Sequence, residues 1–430
     1  MIAQNGEGTA VEALQQSALR KTAYRLVPLL TLAYVFNYLD RTCIGFAALT
    51  MNRDIGLSAT QFGLGSGMFF WTYCLFEIPS NLALRRVGAR VWIARIMITW
   101  GLVSAGTALI TGSTSFFAVR LLLGLAEAGF FPGVAYFLSA WFPQQQRTRM
   151  LAWFLLAIPV SSLIGGPICG TLLQLDGVLG LAGWKWLFIA VSLPCVVLGV
   201  LTLYLLADRP QEASWLTRAE ADALDALLAG ETRERPRSRF WDAVTDSRVL
   251  ILALIQFGFT LSSYGIGIWL PLIFKGYQVS NLANGFLSAV PYVFASVGMM
   301  LWAFRVDRKG GRITNLAVTC LLGALGLGGA VFADSVNVSL IAVTVALVGI
   351  TAARGIFWAL PARFLTGVGA AGGLAFINSI GTLGGFAGPF LMGALKDATG
   401  SFVAGLLAMA CVMLAATALS VSLRAVMTQE

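Results

Sequence analysis

The sequence predicts an all-α polytopic membrane protein: twelve transmembrane helices in two six-helix bundles related by an internal repeat. Three observations carry the prediction. Only 11% of the 430 residues are charged, where a soluble domain carries about 25%. Counting glycine and leaving out tyrosine, roughly two-thirds of the chain is apolar, against a usual share of about 45 to 50%. The third observation is a repeat at constant offset. Arg86, Gly88 and Arg90 recur as Arg308, Gly310 and Arg312, and Gly166-Pro167 recurs as Gly388-Pro389, always the same distance further along the chain.

Each element follows from the length an apolar run needs, since a hydrocarbon core of about 30 Å takes about 20 helical residues. The first half supplies six such runs, at 24–49, 60–84, 91–111, 115–140, 148–174 and 184–206. The second half supplies six more, at 247–275, 282–304, 312–333, 337–363, 370–395 and 402–424. Between them lies the one long polar interruption, 207–246. There Thr217 and Glu220 form a capping box ahead of Leu224 to Leu228, which predicts a short surface helix. The organisation is then an N-terminal lead-in (1–22), a first bundle (23–206), a central loop (207–246), a second bundle (247–424) and a tail (425–430).

Lysine and arginine set the orientation. Arg20, Lys21 and Arg25, then Arg85, Arg86 and Arg90, then Arg147 and Arg149, the central loop, and finally Arg305, Arg308, Lys309 and Arg312 make one set of loops basic. The opposite loops hold only Arg53, Lys185, Lys275 and Lys396. Both termini are therefore expected in the cytoplasm, which needs an even helix count. The lead-in lacks the apolar core of a signal peptide.

Composition also excludes. With no histidine, HExxH zinc sites, histidine triads and histidine proton relays are ruled out, so proton chemistry must run on carboxylates. No metal or cofactor site is expected. The net charge of +9 is scattered through loops rather than gathered into a tract, so nucleic acid is not a predicted partner. The six cysteines lie in or beside apolar runs with no ligand spacing. There is no phosphate loop, and a central loop of about 40 residues is too short for a nucleotide domain. An enzyme is not expected.

Charges inside membrane spans are costly unless paired or facing a polar cavity, so each is a functional candidate. Asp40 and Arg41 lie near the middle of the first run, Glu77 in the second, Arg120 and Glu127 in the fourth, and Arg354 in the tenth. Arg120 and Glu127 are two helical turns apart on one face, so they are expected to line one cavity wall. Their structural rival is a static pair with each other, as Asp40 with Arg41 could be a static pair. Glu77 sits toward the cytoplasmic end and is read as structural or gating.

Three stretches make the resemblance specific: Asn37-Tyr38-Leu39-Asp40-Arg41, Arg120 through Gly124, Glu127, Gly129 and Pro132 to Gly133, and Phe376 through Asn378 to Gly381. Together the chain resembles the anion:cation symporter family, a branch of the major facilitator superfamily that includes bacterial permeases for sugar acids, tartrate, phthalate and hydroxyphenylacetate. The resemblance covers nearly the whole chain. It implies the major facilitator fold and proton-coupled uptake of an organic carboxylate by alternating access. It also implies Asp40 and Glu127 as proton carriers, Arg41 and Arg120 as cationic groups, and Tyr38, Tyr73, Trp358 and Asn378 as pocket residues. Arg354, one turn before Trp358, is a departure from the family and is read as a second anion contact or as a paired or snorkelling group. The other departure is Arg85, which stands where the loop signature usually has an acid; the second half keeps Asp307 through Arg312. The expected partners are a small organic anion, protons and the lipid bilayer, with the protein working as a monomer in a bacterial inner membrane. The alternative is a proton-coupled drug or metabolite exporter on the same fold, prompted by Gly165-Gly166-Pro167.

Overall fold

In the computed structural model, which describes residues 2–229, 245–361 and 367–427, every long element is a helix. Residues 230–244 of the expected central loop, the expected end of the tenth run at 363 and the last three residues of the tail lie outside the described residues. The first half contains α1 (Ile2–Asp54), α2 (Ala59–Val87), α3 (Ala89–Gly106), α4 (Ser113–Glu127), α5 (Phe130–Trp141), α6 (Gln144–Leu155), α7 (Ala157–Leu172) and α8 (Gly183–Leu205). After α9 (Arg218–Ala229), the second half holds α10 (Ser247–Lys275), α11 (Asn281–Lys309), α12 (Arg312–Val331), α13 (Val336–Phe357), α14 (Gly367–Thr399) and α15 (Val403–Met427). The expected fourth run is α4 followed by α5, and the fifth is α6 followed by α7, so the described residues form twelve rods.

Ten of these rods are long and apolar enough to cross a bilayer on length and composition alone. The other two are α1 and α2, diluted by Asn37, Asp40, Arg41, Thr72 and Glu77. Large apolar side chains stand exposed around the outside, Leu193, Leu325 and Ile341 among them, as a surface solvated by lipid requires.

The lead-in is not a separate segment. It is helical and continuous with the first crossing, making α1 53 residues long. Its Ser17 hydroxyl and Lys21 ammonium donate to Glu220 Oε1 at 2.7 and 2.8 Å. The predicted capping box is present at the start of α9: Thr217 N donates to Glu220 Oε2 at 2.9 Å, and Glu220 N to Thr217 Oγ1 at 3.3 Å. These donors, Lys21 foremost, pull the Glu220 carboxyl down to about 2.

Two seams join the halves, α2 against α14 and α7 against α11. Both need glycine. A Cβ at Gly63 would stand 2.3 Å from Pro389 O, and one at Gly285 would stand 2.4 Å from Gly166 O. Gly63 and Gly285 are themselves equivalent positions of the repeat, so the repeat built both seams. Asp397 adds a bond across the first seam, accepting from Ala59 N at 3.2 Å and Thr60 N at 2.7 Å. Trp269 Nε1 donates to Pro389 O at 3.1 Å. All of this lies at the end of the molecule away from the N-terminus. Along α2 the stripe that meets α14 at Gly63, Gly67 and Trp71 continues into Leu75, Ile78 and Leu82, which are exposed. The halves are therefore sealed at one end and part toward the other.

The loop signature differs between halves as the sequence implies. Arg312 Nη2 lies 3.4 Å from Asp307 Oδ1 in the second half. In the first, where Arg85 replaces the usual acid, Asp208 comes from beyond α8 and accepts from Arg90 N at 2.8 Å, at the start of α3.

Candidate functional site

Arg41 is the hub. It projects from α1 toward α4, and both Nε and Nη2 donate to one oxygen of Glu127, Nε at 2.8 Å. Glu127 is wholly buried, while the Arg41 side chain keeps 16% exposure. The third guanidinium nitrogen, Nη1, donates to the Tyr264 hydroxyl of α10 at 3.3 Å, reaching across to the second half. Around the charge stand three rings, with Cζ 5.3 Å from the centroid of Tyr38, 5.1 Å from Phe69 and 5.3 Å from Tyr73. These faces stabilise a cation partly removed from water, by about 0.5 to 2 kcal/mol each.

The local backbone explains how Glu127 gets there. α4 stops at Glu127, Ala128 turns out of helical conformation, and Gly129 takes a left-handed φ of 87°. A Cβ at Gly129 would stand 2.4 Å from Ser80 Oγ, so both conformation and space call for glycine. The helix ends just after the carboxylate that faces α1. Its second oxygen, Oε2, has no hydrogen-bond partner among the described residues, which leaves one oxygen of a buried carboxylate open to a proton.

Arg120 does not form the ion pair with Glu127 that was its structural rival. It is 4% exposed, its Nη2 donates to Ser66 O at 3.3 Å, and its Cζ lies 5.1 Å from the Phe69 ring. Among the described residues no carboxylate pairs with it, so the static Arg120-Glu127 reading is corrected: Glu127 belongs to Arg41. The two guanidiniums instead share one ring, that of Phe69. Asp40 is likewise not paired with Arg41. Neighbours on a helix point about 100° apart, and Asp40, 2% exposed, accepts from Ser104 Oγ of α3 on the other side of α1.

Tyr38, Tyr73, Arg41 and Glu127 thus come together, with Arg120 on the far side of Phe69. The second-half candidates do not join them. Arg354 is half-buried with Cζ 5.6 Å from the Phe259 ring, and among the described residues it has no ion pair. Trp358 follows α13, 39% exposed, against Phe357. Asn378 is half-buried on α14, where its backbone oxygen accepts from Thr382. Phe69 and Tyr264 escaped sequence reasoning. Phe69 stands one turn before Tyr73 on the same face. Tyr264 is the repeat equivalent of Thr42, so it stands beside the equivalent of Arg41, and that register was the available signal. Among the described residues no group of three cysteines and carboxylates could hold a metal.

Comparison with known proteins bears on the family and the fold. Residues 30–389 match the family described as the Major Facilitator Superfamily. A protein of Agrobacterium vitis described as a putative tartrate transporter is 47% identical over 86% of this chain and 83% of its own. The quinolone resistance transporter of Acinetobacter baumannii is 40% identical, with 84% of each chain covered. Among solved structures, a bacterial homologue of the human lysosomal transporter Spinster superposes with a TM-score of 0.77 at 17% identity, over 93% of this chain and 96% of its own.

Proposed function

The chain belongs to the Major Facilitator Superfamily, and from that premise we propose that it is a proton-coupled symporter taking up an organic carboxylate by rocker-switch alternating access. The family and the transporter relatives make it a multi-pass membrane transporter and not an enzyme. The observation that carries the finer reading is the Arg41-Glu127 pair inside its aromatic cage. An anion entering this cavity needs a cation, and a guanidinium offers a carboxylate two parallel hydrogen bonds. While Glu127 is charged it holds two of the Arg41 donors. Protonation weakens that hold and frees Arg41 for substrate, so proton and anion load together. Asp40, behind α1, is the second proton carrier in this reading. Two protons with a monoanion move one positive charge inward, worth about 2.3 kcal/mol per 100 mV, and two with a dianion move none.

Two guanidiniums flanking Phe69 suit a small dicarboxylate, and the tartrate description of the 47% identical relative supports that class over a simple monoacid. The halves part at the end bearing Arg85, Arg86, Arg305 and Arg308, so we place that end and both termini in the cytoplasm of a bacterial inner membrane. The protein acts as a monomer, each bundle moving as a unit about the site. Export remains the second reading, because of the quinolone resistance relative.

The test is uptake of labelled L-tartrate, D-gluconate and nicotinate into proteoliposomes under an inward proton gradient. Arg41→Lys is expected to be nearly as damaging as Arg41→Ala, because lysine keeps the charge but loses the two-point grip. A lysine variant transporting like the parent would sink the bidentate reading. Proton-driven efflux of a quinolone without carboxylate uptake would favour export.

A further inference from the structure

We propose that Arg95 holds the phosphate of an anionic phospholipid against the outer face of α3, at the end of the molecule that bears Arg85 and Arg86. The proposal stands apart from what the central cavity carries.

Arg95 lies inside a membrane span, Ala89–Leu109, where a charge is costly unless it finds a partner or water. Residues on a helix turn by about 100° each. Arg95 therefore shares one stripe of α3 with Val91 and Leu102, both exposed on the lipid-facing surface. Ser104, the residue of α3 that donates to Asp40, is nine positions further on and so on the opposite face. Arg95 thus faces outward, away from the charged site. Its side chain is half-buried, and of its five N–H donors none meets an acceptor among the described residues, Nε being buried without a partner.

The height of the guanidinium says what anion is at hand. Arg95 is six residues into α3, about 9 Å along the axis from its start. Helical side chains lean toward the N-terminus, and this one does: Cζ lies over the ring of Trp92, one turn back, 4.0 Å from the centroid. Trp92 is itself fixed, donating from Nε1 to Ser80 Oγ at 3.0 Å. On α8, Tyr204 stands exposed at about the same level, because Thr202 Oγ1 meets Met97 Sδ at 3.6 Å. Tryptophan and tyrosine of this kind mark the headgroup boundary of a bilayer, and the acceptors at that depth are lipid phosphates. A guanidinium gives a phosphate two parallel hydrogen bonds.

The neighbouring rim supplies no anion of its own. Arg85 stands where an acid is usual, Arg86 is exposed, and Asp208 accepts from Arg90 N at the start of α3. The second half is built the other way, with Asp307 against Arg312 and Ala317 at the repeat position of Arg95. The site belongs to the first half alone.

The experiment is native mass spectrometry of the full-length protein in detergent, titrated with dioleoyl phosphatidylglycerol, with dioleoyl phosphatidylcholine as the zwitterionic control and inorganic phosphate as a competitor. The parent is expected to bind its first phosphatidylglycerol at least about tenfold more tightly than phosphatidylcholine, as a charged hydrogen bond implies, and millimolar phosphate is expected not to displace it. The pull of a basic surface alone amounts to about fivefold per charge, and Arg86→Gln measures that term. Arg95→Gln should lose at least about tenfold, Arg86→Gln no more than about fivefold, and Arg95→Lys should bind more tightly than Arg95→Gln. Each variant is compared at an unchanged melting temperature in detergent, and the comparison of lipids on the parent needs no variant. Equal affinity of the parent for the two lipids overturns the proposal. So does an Arg95→Gln loss no larger than that of Arg86→Gln, which reduces the site to general surface charge. Displacement of phosphatidylglycerol by inorganic phosphate overturns it too, by making the ligand a free anion.

Discussion

Replacing Glu127 with glutamine separates substrate binding from proton coupling. Glutamine matches a protonated glutamic acid in shape and cannot exchange a proton, so the site stays in its loaded-like, uncharged form. Arg41 now donates twice to one carboxylate oxygen. A hydrogen bond to a charged group contributes about 1.5 to 3 kcal/mol and a neutral one about 0.5 to 1.5, so the substitution loosens the hold on Arg41 by about 2 kcal/mol. That corresponds to roughly thirty-fold in competition with an incoming carboxylate. Removing one member of a buried pair often costs about 3 to 5 kcal/mol of stability. Here Arg41 keeps Tyr264, three aromatic faces and partial exposure, so the loss should fall below that range. In the parent, affinity should fall as pH rises, because protons must bind with the substrate; in Glu127→Gln that dependence should weaken, leaving only what Asp40 carries. Exchange of labelled for unlabelled tartrate across proteoliposomes should survive, since exchange never requires the empty carrier to shed its proton and return. Net uptake driven by a pH gradient should collapse. Both are measured on one preparation. Exchange lost in parallel with uptake, in a protein of lowered melting temperature, would refute the reasoning and leave Asp40 as the only proton carrier.

Arg354→Ala should weaken binding of a dicarboxylate by roughly 1.5 to 3 kcal/mol while sparing monocarboxylates, if Arg354 is a second anion contact; isothermal titration with both classes decides, and equal losses point to a structural role. Gly63→Ala or Gly285→Ala drives a methyl against a backbone oxygen of the other half, an overpacking cost of about 1 to 3 kcal/mol borne by the sealed state alone. Deuterium uptake should rise at the start of α2 and the end of α14 for Gly63→Ala, and at the end of α7 and the start of α11 for Gly285→Ala, in a protein that remains folded; unchanged uptake there would contradict the assignment of the seams. The Glu220 carboxyl is held at about 2 against an ordinary 4.5, so the docking of α9 on α1 is at full strength above about pH 4.5 and is lost as pH falls toward 2. Protection of the α9 amides should follow that acid profile, and Glu220→Gln should lower protection at neutral pH and flatten the profile.

The sequence by itself determined what is local or periodic. Run length and hydropathy placed the rods, because a bilayer dictates how many apolar residues a helix needs. The constant offset of the repeat tied Gly166-Pro167 to Gly388-Pro389, and the structure uses both pairs in tight helix contacts. The Thr217 and Glu220 spacing fixed a helix start, since capping involves only positions within one turn of each other. Rarity of charge within the spans nominated Arg41, Arg120, Asp40 and Glu127. What the tertiary structure alone decided is which of these charges meet. Asp40 and Arg41 adjoin in sequence yet face different helices, and Glu127 pairs with Arg41 of α1 rather than with Arg120 of its own helix. A pairing of that kind depends on how whole helices are rotated and packed, which leaves no periodic trace in the chain. Phe69 and Tyr264 were hidden for a related reason. Each is one aromatic among many, and becomes particular only when packing brings a guanidinium from another helix to its ring or hydroxyl.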